Sequence, residues 1–195
     1  NKSVIFSWYN TSGDQRLEVG NKIISIIPAK DDTFIYTDEA IYGMTFVGPP
    51  FTFSFRLLGV NCGGVAINGA IAVDGNVYWI GKNGFFTYNG AVQEIPCSVK
   101  YFVFDRIQKR YIDKTFVGHN AKFYEITWFY VSNDNSAGTV NPEPDSYVSY
   151  NYFENIWTIG TLDRNIFLDA QGARETPFAF DADGKLYNHE QGNSD

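Results

Sequence analysis

The stretch Val77-Tyr78-Trp79-Ile80-Gly81-Lys82-Asn83-Gly84-Phe85-Phe86-Thr87-Tyr88-Asn89-Gly90 decides the fold class. Two runs rich in aromatic and β-branched residues flank a polar, glycine-bearing turn, and a second Asn-Gly closes the unit. Such runs fit a pleated, half-buried surface, which makes them strands rather than helix turns. Asn and Gly tolerate positive φ, so Asn83-Gly84 and Asn89-Gly90 are the expected hairpin turns.

Outward from this unit the pattern recurs. Toward the N-terminus, Phe34-Ile35-Tyr36 and Ile41-Tyr42-Gly43-Met44 flank the turn Thr37-Asp38-Glu39. Toward the C-terminus, Ile126–Val131 reaches Tyr147–Tyr152 across a polar insertion, and Ile156–Ile159 follows the turn Phe153-Glu154-Asn155. Last, Phe178-Ala179-Phe180 and Lys185-Leu186-Tyr187 flank Asp181-Ala182-Asp183-Gly184. Tyr36 to Trp79 is 43 residues, Trp79 to Tyr130 is 51 and Tyr130 to Phe180 is 50. A period of about 40–50 residues with about four short strands marks β-propeller blades. One small sheet cannot bury both its faces, whereas sheets stacked side by side bury each other's. The expectation is an all-β chain, a propeller-like stack of short antiparallel four-stranded sheets. Residues 1–195 then form one propeller portion of about four repeat units. Because the chain starts on Asn1 and stops inside the polar run Gln191–Asp195, it reads as an excerpt of a longer polypeptide.

Within that frame Tyr36, Trp79, Phe86, Trp128, Tyr150 and Trp157 are expected in core or blade-contact positions. Two segments depart from the strand pattern. Ser98–Ile107 carries apolar residues at 99, 102, 103 and 107 behind a Ser that can cap, so a short helix or connector is expected near 98–110. A further strand is the other reading. The insertion 132–146, polar with Pro142 and Pro144, is expected as an exposed loop that touches a neighbouring subunit or a lumen.

Composition narrows the function classes. With 44% hydrophobic and 19% charged residues the 195-residue chain can bury a core. Fifteen basic against 22 acidic groups give a net charge of −7. That argues against a surface that grips nucleic acid or an anionic membrane all over. No apolar run approaches the ~20 residues of a membrane span, and Asn1-Lys2-Ser3-Val4 opens no signal-peptide h-region. Cys62 and Cys97 make no framework and no zinc motif; two free thiols are favoured over one disulfide.

Signals of chemistry are weak. His119 and His189 accompany no nucleophile elbow and read as surface or turn histidines. Glu125, Asp145, Glu154, Asp169, Asp181 and Glu190 could supply the two carboxylates of a sugar-cleaving site, but most occupy turn positions. Asp181 and Asp183 are a weak calcium candidate, and a plain hairpin turn explains them better. No cofactor motif is present, and no enzyme activity is expected. Arg106, Lys109, Arg110 and Lys114, interleaved with Tyr101, Phe102 and Tyr111, can touch a phosphate backbone or form a solvated face at a subunit contact.

Several stretches together resemble a family of tailed-phage virion proteins that form the tail nozzle or stopper. They include Phe34-Ile35-Tyr36-Thr37-Asp38, Met44 to Phe53, Asp74-Gly75-Asn76-Val77-Tyr78-Trp79 and Phe86-Thr87-Tyr88-Asn89-Gly90. Glu94-Ile95-Pro96-Cys97, Glu125 to Tyr130, Trp157-Thr158-Ile159-Gly160 and His189-Glu190-Gln191-Gly192 continue the likeness. The resemblance implies a β-propeller within a homo-oligomeric ring, usually a hexamer, below the portal and adaptor proteins. Double-stranded genomic DNA would be held in, or pass through, the ring without tight binding. It also implies a location in the virion, after assembly in the bacterial cytoplasm. Arg164-Asn165-Ile166-Phe167 stands where the family pattern has Arg-Thr-Ala-Trp, which bears on the packing of that blade. The competing function is a carbohydrate-binding propeller or adhesin, in which exposed aromatic rings stack on sugars.

Overall fold

The computed structural model describes residues 15–29, 32–49, 52–136, 142–170 and 175–190. The fold is all-β: four antiparallel sheets follow one another along the chain, each a meander of consecutive strands. The first holds β1 (Ile23–Pro28), β2 (Thr33–Thr37), β3 (Ala40–Phe46) and β4 (Phe53–Val60). The second holds β5 (Ala70–Val73), β6 (Asn76–Ile80), β7 (Phe85–Tyr88) and β8 (Val92–Ile95). A helix α1 (Lys100–Arg106) and a 3-10 segment (Lys109–Lys114) lead to the third sheet. It consists of β9 (Phe116–Asn120), β10 (Glu125–Tyr130), β11 (Ser146–Asn151) and β12 (Ile156–Thr161). Among the described residues the fourth has three strands, β13 (Ile166–Leu168), β14 (Phe178–Phe180) and β15 (Leu186–Asn188).

The first strands of successive sheets lie against one another: β1 on β5, β5 on β9 and β9 on β13. Ser25 Oγ donates to the carbonyl of Ile67 at 2.7 Å, and Val117 N to that of Asn68 at 2.9 Å. The sheets therefore fan out from a shared line of inner strands.

Strand alternation decides how the fan packs. On β10, Ile126, Trp128 and Tyr130 enter a core shared with Tyr78, Ile80 and Phe85 of the second sheet. Phe129, on the opposite face, stacks on Phe116 at 4.8 Å and meets Phe167 of the fourth sheet at 5.8 Å. A second core joins Phe34, Tyr36 and Ile41 of the first sheet to Val77 and Trp79 of the second. Indole N–H groups tie these layers: Trp128 donates to Gly69 O at 3.0 Å, Trp157 to Pro96 O at 2.9 Å and Trp79 to Cys62 O at 2.6 Å. An indole buried this way places a large apolar area while satisfying its one donor.

Several local expectations are revised. Of the two Asn-Gly turns, only Gly90 adopts positive φ (+104°). At Gly84 φ is not positive, and a Cβ there would meet only the end of the half-exposed Glu94 side chain, Oε1 at 2.8 Å. Ser98 does not cap α1; Val99 holds the N-cap position without a side-chain bond. Val103 and Ile107 are buried and Val99 and Phe104 pack beside them, while Phe102 turns outward. The inward face runs at i, i+4, i+8 from Val99, which leaves 102 off the stripe.

The insertion 132–146 begins with the helical turn Asn133–Ser136, and residues 137–141 lie outside the described residues. Its far end is not exposed. Pro142 and Pro144 are buried, and Asp145 accepts from Ser132 N at 2.7 Å and Ser132 Oγ at 2.6 Å. Cys62 and Cys97 are both free thiols. No helix of the described residues is long and apolar enough to cross a membrane.

Candidate functional site

The six aromatics singled out from sequence fall into two groups. Tyr36 and Trp79 meet edge to face at 5.3 Å between the first and second sheets, and Phe86 stacks on Trp79 at 5.6 Å. Trp128, Trp157 and Tyr150 pack together against the second sheet, with Tyr150 and Trp157 4.6 Å apart. Phe86 also borders an open cleft with Asp38, Glu39, Lys82, Glu94 and Lys100; the other five line none of the described cavities.

Asp181 caps the β14–β15 turn. Its Oδ1 accepts from Asp183 N at 3.0 Å and Lys185 N at 2.8 Å, and its Oδ2 accepts from the Tyr187 hydroxyl at 3.0 Å. Those bonds, the Lys185 amide foremost, hold its carboxyl below the usual carboxylate range. Among the described residues no group of three or more His, Cys, Asp or Glu side chains is placed to hold a metal ion. In the basic cluster, Arg106 pairs with Asp134, and Lys114 Nζ lies 2.8 Å from both Glu143 Oε1 and Pro142 O. Half of that charge is thus spent on the ends of the insertion.

His119 is held on both ring nitrogens. Nδ1 lies 3.1 Å from Asp169 Oδ2 and Nε2 lies 3.2 Å from the Tyr152 hydroxyl. Burial lowers its pKa, against an opposing pull from Asp169, so the neutral ring donates to the carboxylate and accepts from the phenol. Beside it runs a ledge of rings: Tyr124 lies 5.8 Å from Tyr152 and 5.3 Å from Phe153, and Phe153 is 73% exposed. Tyr124 has left-handed backbone (φ 58°), an unfavourable state for an aromatic residue.

The inner strands enclose the apolar mouth of the fan. A cavity of about 880 Å³ is bordered by Ile23–Pro28 of β1, Ile67 to Ala72, Phe116 and Val117 of β9, and Asn165–Phe167. No ionisable side chain is among its described lining residues.

A polar chamber of about 190 Å³, partly open to solvent, lies between the third and fourth sheets. Alternation builds it. Glu125 and Thr127 share a β10 face with Phe129; Ser149 of β11 and Thr158 of β12 extend that face, and Phe167, His189 and Glu190 close it. Asn120, at the end of β9, is 4% exposed. Its Nδ2 donates to Glu190 Oε1 at 3.1 Å, while its Oδ1 is buried without a hydrogen-bond partner. Burial, with Glu190 nearby, pushes the Glu125 carboxyl up. His189 Nε2 accepts from Arg164 Nε at 3.3 Å, and burial followed by that guanidinium lowers its pKa. Of the six carboxylates weighed from sequence, Glu125 and Glu190 are thus brought to one space. Asp145, Asp169 and Asp181 are engaged elsewhere, and Glu154 sits in an exposed turn. Asn120 carries no sequence signal of its own as a site residue. The polar-every-second-residue pattern Glu125-x-Thr127 was the available signal for this face.

No protein-family model matches the chain, and no curated protein matches it.

Proposed function

We propose that the chain is a structural virion protein of a tailed bacteriophage. It forms part of the tail nozzle ring that retains and conducts the genomic DNA, with no catalytic step of its own. The reading rests first on the resemblance of Thr33 to Gly192 to that family. The structural observation that carries it is the outer edge of the first sheet. Among the described residues β4 is an eight-residue edge strand; its Phe53, Leu57 and Val60 are 47%, 45% and 50% exposed, and Phe46 at the end of β3 is 68% exposed. A long apolar edge is an aggregation hazard unless another chain covers it. In a ring of copies that cover is the neighbouring subunit, and portal or adaptor proteins cap the ring. The net charge of −7 supports passage over capture, since each phosphate a protein neutralises adds affinity and therefore friction.

The mass of the full-length protein's assembly, or its symmetry in the particle, tests this. A ring of about six copies with an axial channel wide enough for a duplex is the expected result. A stable monomer that does not assemble on the virion connector overturns it. One observation favours the adhesin as second reading: the outward rings of Tyr124 and Phe153, flat surfaces on which a sugar could stack. Glycan binding lost in Phe153→Ala would support that reading.

A further inference from the structure

We propose that the chamber between the third and fourth sheets is a binding site for a small organic ammonium ion, such as a short alkyl amine or diamine. The site lies apart from the β4 edge and does not depend on the nozzle reading. Its donor-seeking character comes from three groups: the carboxylates of Glu125 and Glu190, and Asn120 Oδ1, a buried acceptor with no partner. An orphaned buried acceptor costs free energy, and a site that retains one is built for a donor that arrives later. The Asn120 amide cannot flip to relieve it, because its Nδ2 already donates to the Glu190 carboxylate. Turning the amide would set oxygen against oxygen.

The remaining lining selects the cation. Thr127 and Ser149 hydroxyls bond each other at 2.8 Å, leaving oxygen lone pairs around the space. Phe129, Phe167 and Tyr147 form its apolar walls, which suit an alkyl chain and offer ring faces to a positive charge. A bare metal ion fits poorly, because it needs a tight shell of ligands and no such cluster exists among the described residues. An ammonium group instead takes a few separate hydrogen bonds. The space, about 190 Å³ and partly open to solvent beside the exposed Glu190, has room for a short amine.

The test is titration of the full chain with ethylammonium, 1,4-diaminobutane and, as neutral counterpart, 1-butanol. The Asn120 side-chain amide resonance and the thermal midpoint report binding. Saturable shifts with the amines, absent with butanol and with equal concentrations of sodium or potassium chloride, are expected. Glu125→Gln should weaken amine binding at least tenfold, and it should fold, because it removes a charge that burial disfavours. Glu190→Gln keeps the acceptor for Asn120 and should weaken binding in the same sense. An absent shift, an equal response to the salts, or undiminished binding in both variants overturns the proposal.

Discussion

At the residue scale, the joints between sheets are made by single donors and single missing side chains. Trp128 is fully buried in the third sheet, yet its indole N–H is satisfied by Gly69 O, which leads into the second. Trp128→Phe keeps an aromatic ring and removes that bond, while Gly69 O still accepts from the Ile80 amide at 3.2 Å. The expected cost is about 0.5–1.5 kcal/mol beyond the lost volume, read as a lower urea midpoint at unchanged slope. Gly118 shows the opposite constraint: a Cβ there would sit 2.4 Å from Phe167 Cδ1. Gly118→Ala should therefore wedge the fourth sheet off the third, at about 1–3 kcal/mol. Loss of amide protection confined to β13–β15 would show it; uniform loss across the chain would refute the local reading. Trp128 was legible in sequence as a large aromatic inside a strand run. The need for glycine at 118 was not, because it is set by a ring about fifty residues away.

At the element scale, the fourth sheet has among the described residues three short strands, with Ala179 as their one buried residue. Two half-buried histidines with lowered pKa hold its margins: His119 on Asp169 and His189 beside Arg164. A base whose folded pKa lies below its unfolded value gives stability that is complete above about 6.5 and is lost as pH falls through the folded value. The fourth sheet should accordingly open first on mild acidification, seen as amide protection factors in β14 falling between pH 7 and pH 5. His189→Gln keeps an acceptor for Arg164 without the titration and should flatten the profile; an unchanged profile refutes the assignment. The sequence pattern exposed the middle hairpins of the sheets, since Tyr36, Trp79, Trp128 and Phe180 mark their second strands. It did not expose β1, β5, β9 and β13. These inner strands are short and aliphatic or glycine-bearing, and lining a shared cavity demands no aromatic residue and no clean alternation. The Glu125–Glu190 chamber was hidden because its walls come from five strands and two connecting segments far apart in the chain.

At the scale of the whole molecule, the two ends of the fan differ, and the difference indicates where association should occur. The far face of the first sheet is already covered in part, for Leu17 and Val19 pack on Ile35, Ala40 and Tyr42. Its β4 edge is not. An irregularity opposite Ile41 and Tyr42 places Gly59 and Leu57 against them, so Leu58 turns in toward Gly43 while Leu57 remains exposed. Phe46 and Phe53 meet edge to face at 5.8 Å at the hairpin end. Introducing Lys at Phe53 and Leu57 adds two cations to an exposed edge without touching the buried clusters, so the protomer should keep its stability within about 0.5 kcal/mol per site. Association should fail, because a desolvated ammonium on an apolar contact has no partner. Sedimentation of the full-length double variant gives the answer: folded monomers in place of the ring tie assembly to this edge. Intact rings would move the subunit contact elsewhere, and the exposed Ile166 and Leu168 of β13 at the opposite end of the fan would be the next edge to charge.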